Sequence, residues 1–158
     1  MALTIEDKAG IIRTMDQYAH SYKNKDIETL SAIFSQNISG FGSGPDEIIR
    51  THDDFIQHIK RDMTQATIHS VEFTDRRIFG DGMIAWVTSQ STMTYTTDGT
   101  TTQTIHGRST MVLRNTGNGF IIEQLHFSLP CGEQSNGQSF PNSTLSKFGT
   151  VEQQCTEN

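Results

Sequence analysis

Phe120-Ile-Ile-Glu-Gln-Leu-His-Phe-Ser128, closed by Leu129-Pro130, is the stretch on which the fold turns. Read as an extended strand, it sets Phe120, Ile122, Gln124, His126 and Ser128 on one face. That face begins apolar and ends polar, as expected of a strand whose far end opens into a pocket. Gly117-Asn-Gly119 precedes it, and before that lies another strand-like run, Thr101 to Arg114. Thr67 to Phe79 and Met83 to Thr96 are likewise rich in Thr, Val, Ile, Phe and Tyr. Asp81-Gly82 and Asp98-Gly99 separate these runs, and such dipeptides favour hairpin turns because they tolerate positive φ. Four long strands joined by tight turns make an antiparallel meander.

The first third of the chain has a different period. Thr4-Ile-Glu-Asp7 is a capping-box pattern. Behind it Ile5, Ala9, Ile12, Met15, Ala19 and Tyr22 recur at helical spacing, widened by Ile11 and Tyr18. A stripe that broad predicts a long helix lying across a sheet. Asn24-Lys25-Asp26 breaks it. Asp26 can cap a second helix that turns Ile27, Leu30, Ile33 and Phe34 inward. Ile38 to Phe41 is short enough for an edge strand. Thr51-His-Asp-Asp54 repeats the capping box and starts a third helix through Phe55, Ile59 and Met63. Helices first and strands after predict an α+β domain over residues 1–130. Residues 131–158, rich in Ser, Asn, Gln, Gly and Thr, read as a polar tail without a core of its own.

A length of 158 residues suits one core. The net charge of −6, with Arg76-Arg77 as the longest basic cluster, argues against nucleic-acid binding through phosphates. No apolar run approaches the ~20 residues of a membrane helix. The start carries Glu6 and Asp7 where a signal peptide has basic residues, so a cytoplasmic location is expected. In that setting Cys131 and Cys155 are expected as free thiols.

Among residues that could carry chemistry, His126 leads. It lies near the strand end on the Phe120 face, where an imidazole can act as acid, base or ligand donor. The alternative is a histidine bonded to Gln124 or Ser128. His106 and Arg108 share a face of the preceding strand, and the turn near Asn118 brings them close to Gln124 and His126. Arg108 there would bind an anionic ligand group or pair with a carboxylate. Tyr18 and Tyr22 on the first helix can point hydroxyls into a cavity or simply pack. Phe41 and Trp86 are candidate aromatic walls, with sheet packing the alternative for Trp86. Asp53 and Asp54 read as helix-start carboxylates. His52 and His58 are too far apart along a helix to share a metal, and His20 and His69 have no evident partners, so no metal site is expected. Gly40-Phe-Gly42-Ser-Gly44 lacks the Lys-Ser/Thr of a phosphate loop.

Taken together, the run Gly107-Arg108-Ser-Thr110-Met-Val112-Leu-Arg114, the turn Asn115 to Gly119 and the closing Phe120 to Pro130 resemble the SnoaL-like group of the nuclear transport factor 2-like (NTF2-like) superfamily, a ketosteroid isomerase-like assembly of helices and meander. Many members show a Gly-Arg-x-Thr run and a closing His-x-Ser-x-Pro; Phe120 stands where tryptophan is usual. The resemblance implies a cystatin-like cone: a curved antiparallel sheet wrapped around the long first helix, with a pocket between them. It also implies a homodimer through the outer sheet face. Members include isomerases, cyclases, dehydratases and epoxide hydrolases, and others that only bind ligands or associate. Isomerase chemistry needs a basic carboxylate and an oxyanion donor. Tyr18 matches the donor, but the early strand has no Asp and Glu123 faces away from His126, so His126 or His106 would have to substitute. The expectation is a small, partly apolar ligand and cofactor-free isomerase or lyase chemistry, with a non-catalytic association module as the alternative.

Overall fold

The computed structural model describes residues 2–130, 132 and 134–141. Both cysteines and most of the tail lie outside them. Helix α1, Ile5–Lys23, starts where the capping box places it: Thr4 Oγ1 accepts from the Asp7 amide at 3.0 Å, and Asp7 Oδ2 accepts from the Thr4 amide at 2.9 Å. Its buried side runs through Ile11, Thr14, Met15, Ser21 and Tyr22. Ile5 is 90% exposed, so the apolar stripe begins more than a turn later than its periodicity suggests. Asp26 caps α2, Ile27–Ile33, by accepting from the Thr29 amide. Thr51 and Asp54 form the second capping box, at the head of α3, His52–Gln65. Backbone amides of Arg50 and Thr51 donate to Asp54, which holds its carboxyl below the usual range.

The sheet contains β1 (Phe34–Phe41), β2 (Ile48–Ile49), β3 (Thr67–Gly80), β4 (Ile84–Thr96), β5 (Thr102–Asn115) and β6 (Phe120–Ser128). Its order is β2-β1-β6-β5-β4-β3. The four-strand meander is as expected, and the whole is an α+β fold with a curved sheet around α1. The early strand differs from expectation. It begins at Phe34, continuing directly from α2, and it is not an edge: β2 covers its outer side. It also runs parallel to β6, whereas every other pairing is antiparallel.

The largest departure lies in β6. Leu113 pairs with Ile122 and Val112 with Gln124, leaving Glu123 as an extra residue in a β-bulge. One inserted residue reverses the alternation of faces. Phe120 and Ile122 point inward before the bulge, and Leu125 and Phe127 are the inward residues after it. Gln124, His126 and Ser128 therefore do not share a face with Phe120 and Ile122. Glu123 itself pairs with Arg114. A second irregularity, in β3 between Thr74 and Arg77, includes Asp75 at φ 48°.

The core sits between the inner sheet face and the helices. Ala85, Val87, Met111 and Leu113 of the sheet meet Ile11 and Met15 of α1, and the Phe34 and Phe55 rings lie 4.1 Å apart. Asp16 of α1 pairs with Arg76 of β3 at 2.6 Å.

Gly40 has φ 152°, and a Cβ there would overlap the Leu125 carbonyl oxygen. The close approach of β1 to β6 therefore requires glycine. Gly40→Ala is expected to cost about 2 kcal/mol or more in urea unfolding. Gly99→Ala, at a turn with nothing within 4 Å, should cost only about 1 kcal/mol. Equal costs for the two would contradict this account of the pairing.

Candidate functional site

Between α1, α3 and the inner sheet face lies a cavity of about 260 Å³. Its walls are mostly apolar and aromatic: Phe55 and Ile59 from α3, Phe73 from β3, Met93 from β4, Leu125 and Phe127 from β6. Gly107 explains how Phe127 reaches its place, since a Cβ on Gly107 would lie 2.6 Å from Phe127 Cζ. The Tyr18 ring stacks on Phe73 at 5.7 Å and meets Phe34 edge-on at 5.3 Å.

A carboxylate stands in this apolar setting. Tyr22 donates its hydroxyl to Asp62 Oδ2 at 2.8 Å. Tyr18 and Tyr22 lie one turn apart on α1, as His58 and Asp62 do on α3, so two facing helices present two pairs of polar groups. Burial pushes the Asp62 carboxyl above its usual range; the Tyr22 hydrogen bond opposes this, and the negative charge of Glu47 reinforces it. The Tyr22 phenol is driven up by burial and then by Asp62, and the Tyr18 phenol by burial, Asp62 and Glu47. His58 Nδ1 and Ser91 Oγ are buried at the same cavity and have no hydrogen-bond partner among the described residues.

Glu47 lines the cavity from the 42–47 loop. Its Oε2 accepts from the Gly44 amide at 2.7 Å and its Oε1 from Arg61 Nη2 at 2.9 Å. Arg61 also pairs with Asp46. Among the described residues no group of His, Cys, Asp and Glu side chains is arranged to hold a metal, and no helix is long and apolar enough to cross a membrane.

Of the residues singled out from the sequence, the cavity contains Tyr18 and Tyr22. His106, Arg108 and His126 are exposed on the outer sheet face, and Gln124 is part-buried there. They are neighbours, as the strand pairing suggested: His126 lies opposite Thr110, and Arg108 opposite Ser128. The bulge at Glu123 turns Gln124 and His126 outward, while His106 and Arg108 face outward because Gly107, Ser109, Met111 and Leu113 take the inner face of β5. His126 instead packs against Phe41 with ring centroids 5.6 Å apart, and His106 meets Thr92 Oγ1 at 3.1 Å. Phe41 and Trp86 are 49% and 47% exposed, so neither is a pocket wall.

Asp62, His58 and Glu47 were missed. The signal for the first two was present. His58 and Asp62 stand at i, i+4 beside the apolar residues Phe55, Ile59 and Met63, and Asp62 interrupts that inward face. A charged residue inside an apolar stripe is a candidate site residue. Glu47 has no comparable pattern, because its position depends on loop geometry.

A family model described as a SnoaL-like domain matches residues 11–132. No curated protein sequence matches the chain. Among solved structures, a candidate aromatic ring hydroxylase from Novosphingobium aromaticivorans superposes with a TM-score of 0.73 at 19% identity, covering 82% of this chain and 92% of that one. A candidate dehydratase of the NTF2-like family from Streptomyces avermitilis gives 0.70 at 16% identity, over 81% and 99%. A ketosteroid isomerase-like protein from Erwinia carotovora atroseptica gives 0.69 at 16%, over 81% and 99%. At such identities the likeness establishes the fold, described for other neighbours as cystatin-like.

The raised Asp62 carboxyl has a consequence for stability. Folding favours its protonated form, so its favourable contribution is complete below the unfolded value near about 3.9 and is lost as pH rises through the raised folded value. Asp62→Asn is neutral throughout and its amide oxygen can still accept from Tyr22. It is expected to raise Tm relative to the wild type at about pH 7, with the gain vanishing toward about pH 3. A lower Tm for the variant at neutral pH would refute this.

Proposed function

The chain belongs to the SnoaL-like domain family, and from that premise we propose that its cavity binds a small, partly apolar molecule and performs cofactor-free isomerase or lyase chemistry on it. The observation that carries this reading is the part-buried Asp62 carboxylate, held by Tyr22 in a mostly apolar chamber. Proton abstraction beside a carbonyl needs a base whose pKa approaches the working pH, and desolvation supplies such a base.

In this reading Asp62 takes the α-proton of the bound molecule. The electron pair of the C–H bond moves into the carbon skeleton and onto the carbonyl oxygen, where the Tyr18 hydroxyl donates to the developing charge. Tyr22 is a positioning residue that fixes the carboxylate. Return of the proton to a different carbon completes an isomerisation. Loss of a β-substituent completes an elimination. The isomerase-like and dehydratase descriptions of structural neighbours accord with both outcomes.

The alternative, an association module without chemistry, would suit a filled interior closed by Met15, Phe41 and Trp86. The interior is hollow, with convergent polar groups, and Phe41 and Trp86 stand outside it. The outer face does favour association as an additional property. Phe79 and Trp86 stack there at 6.2 Å while 56% and 47% exposed, and Met83 and Ile84 extend the apolar patch. We assign that face to a homodimer contact.

Exchange of the α-protons of 2-tetralone in D2O, followed by NMR, is the direct test of the base. The wild type is expected to accelerate exchange, and Asp62→Asn to slow it by about 100-fold or more, with Tyr22→Phe in between. Unchanged exchange in Asp62→Asn would remove Asp62 from this role. For the dimer, Trp86→Glu is expected to shift the sedimentation coefficient from dimer to monomer without altering exchange; a monomeric wild type would dispose of the assignment.

A further inference from the structure

The charges around the cavity are one-sided. Asp62 and Glu47 line it, and no Lys or Arg does so among the described residues. Arg61 is already shared between Asp46 and the cavity-lining Glu47, and Lys25 donates to the Met63 carbonyl at 2.6 Å. Arg108, the residue from which an anionic ligand head was expected to gain a partner, lies exposed on the opposite face of the sheet. Two buried atoms that lack partners among the described residues can also accept. Ser91 Oγ offers lone pairs to a ligand donor, as does His58 Nδ1 in the tautomer protonated on Nε2. Aromatic side chains, among them Tyr18, Phe73 and Tyr95, form part of its lining.

We infer that this cavity selects a cationic ligand, a protonated amine carried on an aromatic or alicyclic ring. An ammonium group gains from the quadrupoles of the surrounding rings. It gains again from the field of two carboxylates in a poorly solvated space. Its N–H donors satisfy acceptors that the chain leaves open. A carboxylate or phosphate would meet the same two acidic groups with Arg61, already divided between Asp46 and Glu47, as the only cation bonded to either among the described residues, and its desolvation would go largely uncompensated. A neutral ring molecule would gain the apolar contacts alone.

This narrows the ligand class of the proposed pocket and rests on that reading, but it does not require Asp62 to be a base. The two are compatible. Burial favours the protonated form of Asp62, and a ligand cation held near Glu47 and the ring faces would restore the carboxylate when the ligand arrives. Asp62 need not bond the ammonium for this to occur, because the coupling is through space.

Three indole probes of matched shape separate charge from shape: tryptamine, its neutral alcohol analogue tryptophol, and indole-3-propionate. Isothermal titration with the full chain at about pH 8, where tryptamine remains protonated, is expected to rank tryptamine about tenfold tighter than tryptophol. Indole-3-propionate should be the weakest of the three. Glu47→Gln and Asp62→Asn should each reduce the preference for tryptamine over tryptophol. Propionate or tryptophol binding as tightly as tryptamine would overturn the inference and leave the pocket reading standing. An intact preference in both variants would overturn it too. Failure of all three probes to bind would overturn the inference together with the pocket reading.

Discussion

The extra residue at Glu123 is the constraint on which the rest of the molecule depends. A strand without it would present one continuous face to α1. With it, the final strand presents Phe120 and Ile122 to the core, and Leu125 and Phe127 to the cavity. The inner face thus keeps an apolar side chain at both ends of β6, and the polar Gln124, His126 and Ser128 leave for the outer surface. Bulges also increase local twist, which suits a sheet that must curl around α1. The Arg114–Glu123 pair anchors the bulged residue. That pair is partly exposed, so it fixes geometry more than it adds stability.

Much of the fold was legible in the sequence because its signals are local. Thr4 with Asp7 and Thr51 with Asp54 announce helix starts through side-chain-to-backbone hydrogen bonds that need no tertiary partner. Gly82, Gly99 and Gly117 occupy positive-φ turns whose requirement is equally local. The bulge was not legible. Nothing in Ile-Ile-Glu-Gln marks one residue as surplus, because surplus is defined by the register against β5. Reading the strand as unbroken sent His126 to the wrong face, and with it the whole cluster of His106 and Arg108. The short β2 was hidden for a similar reason: two isoleucines form a strand only because β1 offers them an edge.

The site shows the same division. Tyr18 and Tyr22 followed from helical periodicity. Asp62 was sought on strands, because the family resemblance placed the carboxylate there, and α3 supplies it instead. Shared architecture does not by itself transfer a reaction. The chemistry has to be argued from the groups themselves. Here these are an acid disfavoured by its surroundings, a phenol that orients it, and an imidazole one turn away. Burial disfavours the charged form of that acid, and a titratable group so perturbed beside a cavity is what the proposed function rests on.

The ties around Glu47 bear on how molecules enter and leave. Glu47 joins the 42–47 loop to itself through the Gly44 amide and to α3 through Arg61; the Gly42 amide also donates to the Glu47 carbonyl at 2.9 Å. Arg61 precedes Asp62 in sequence, so the rim of the chamber and the acid at its wall are fastened to the same turn of helix. Such a rim cannot swing open as a flap without giving up its own internal bonds. Under the proposed ligand-binding reading, traffic would pass by side-chain rotation at the mouth, on the nanosecond scale of rotamers, rather than by the microsecond-to-millisecond closure of a lid. Under that reading the chamber would act as a fixed vestibule that sorts its occupants by fit and charge rather than by capture.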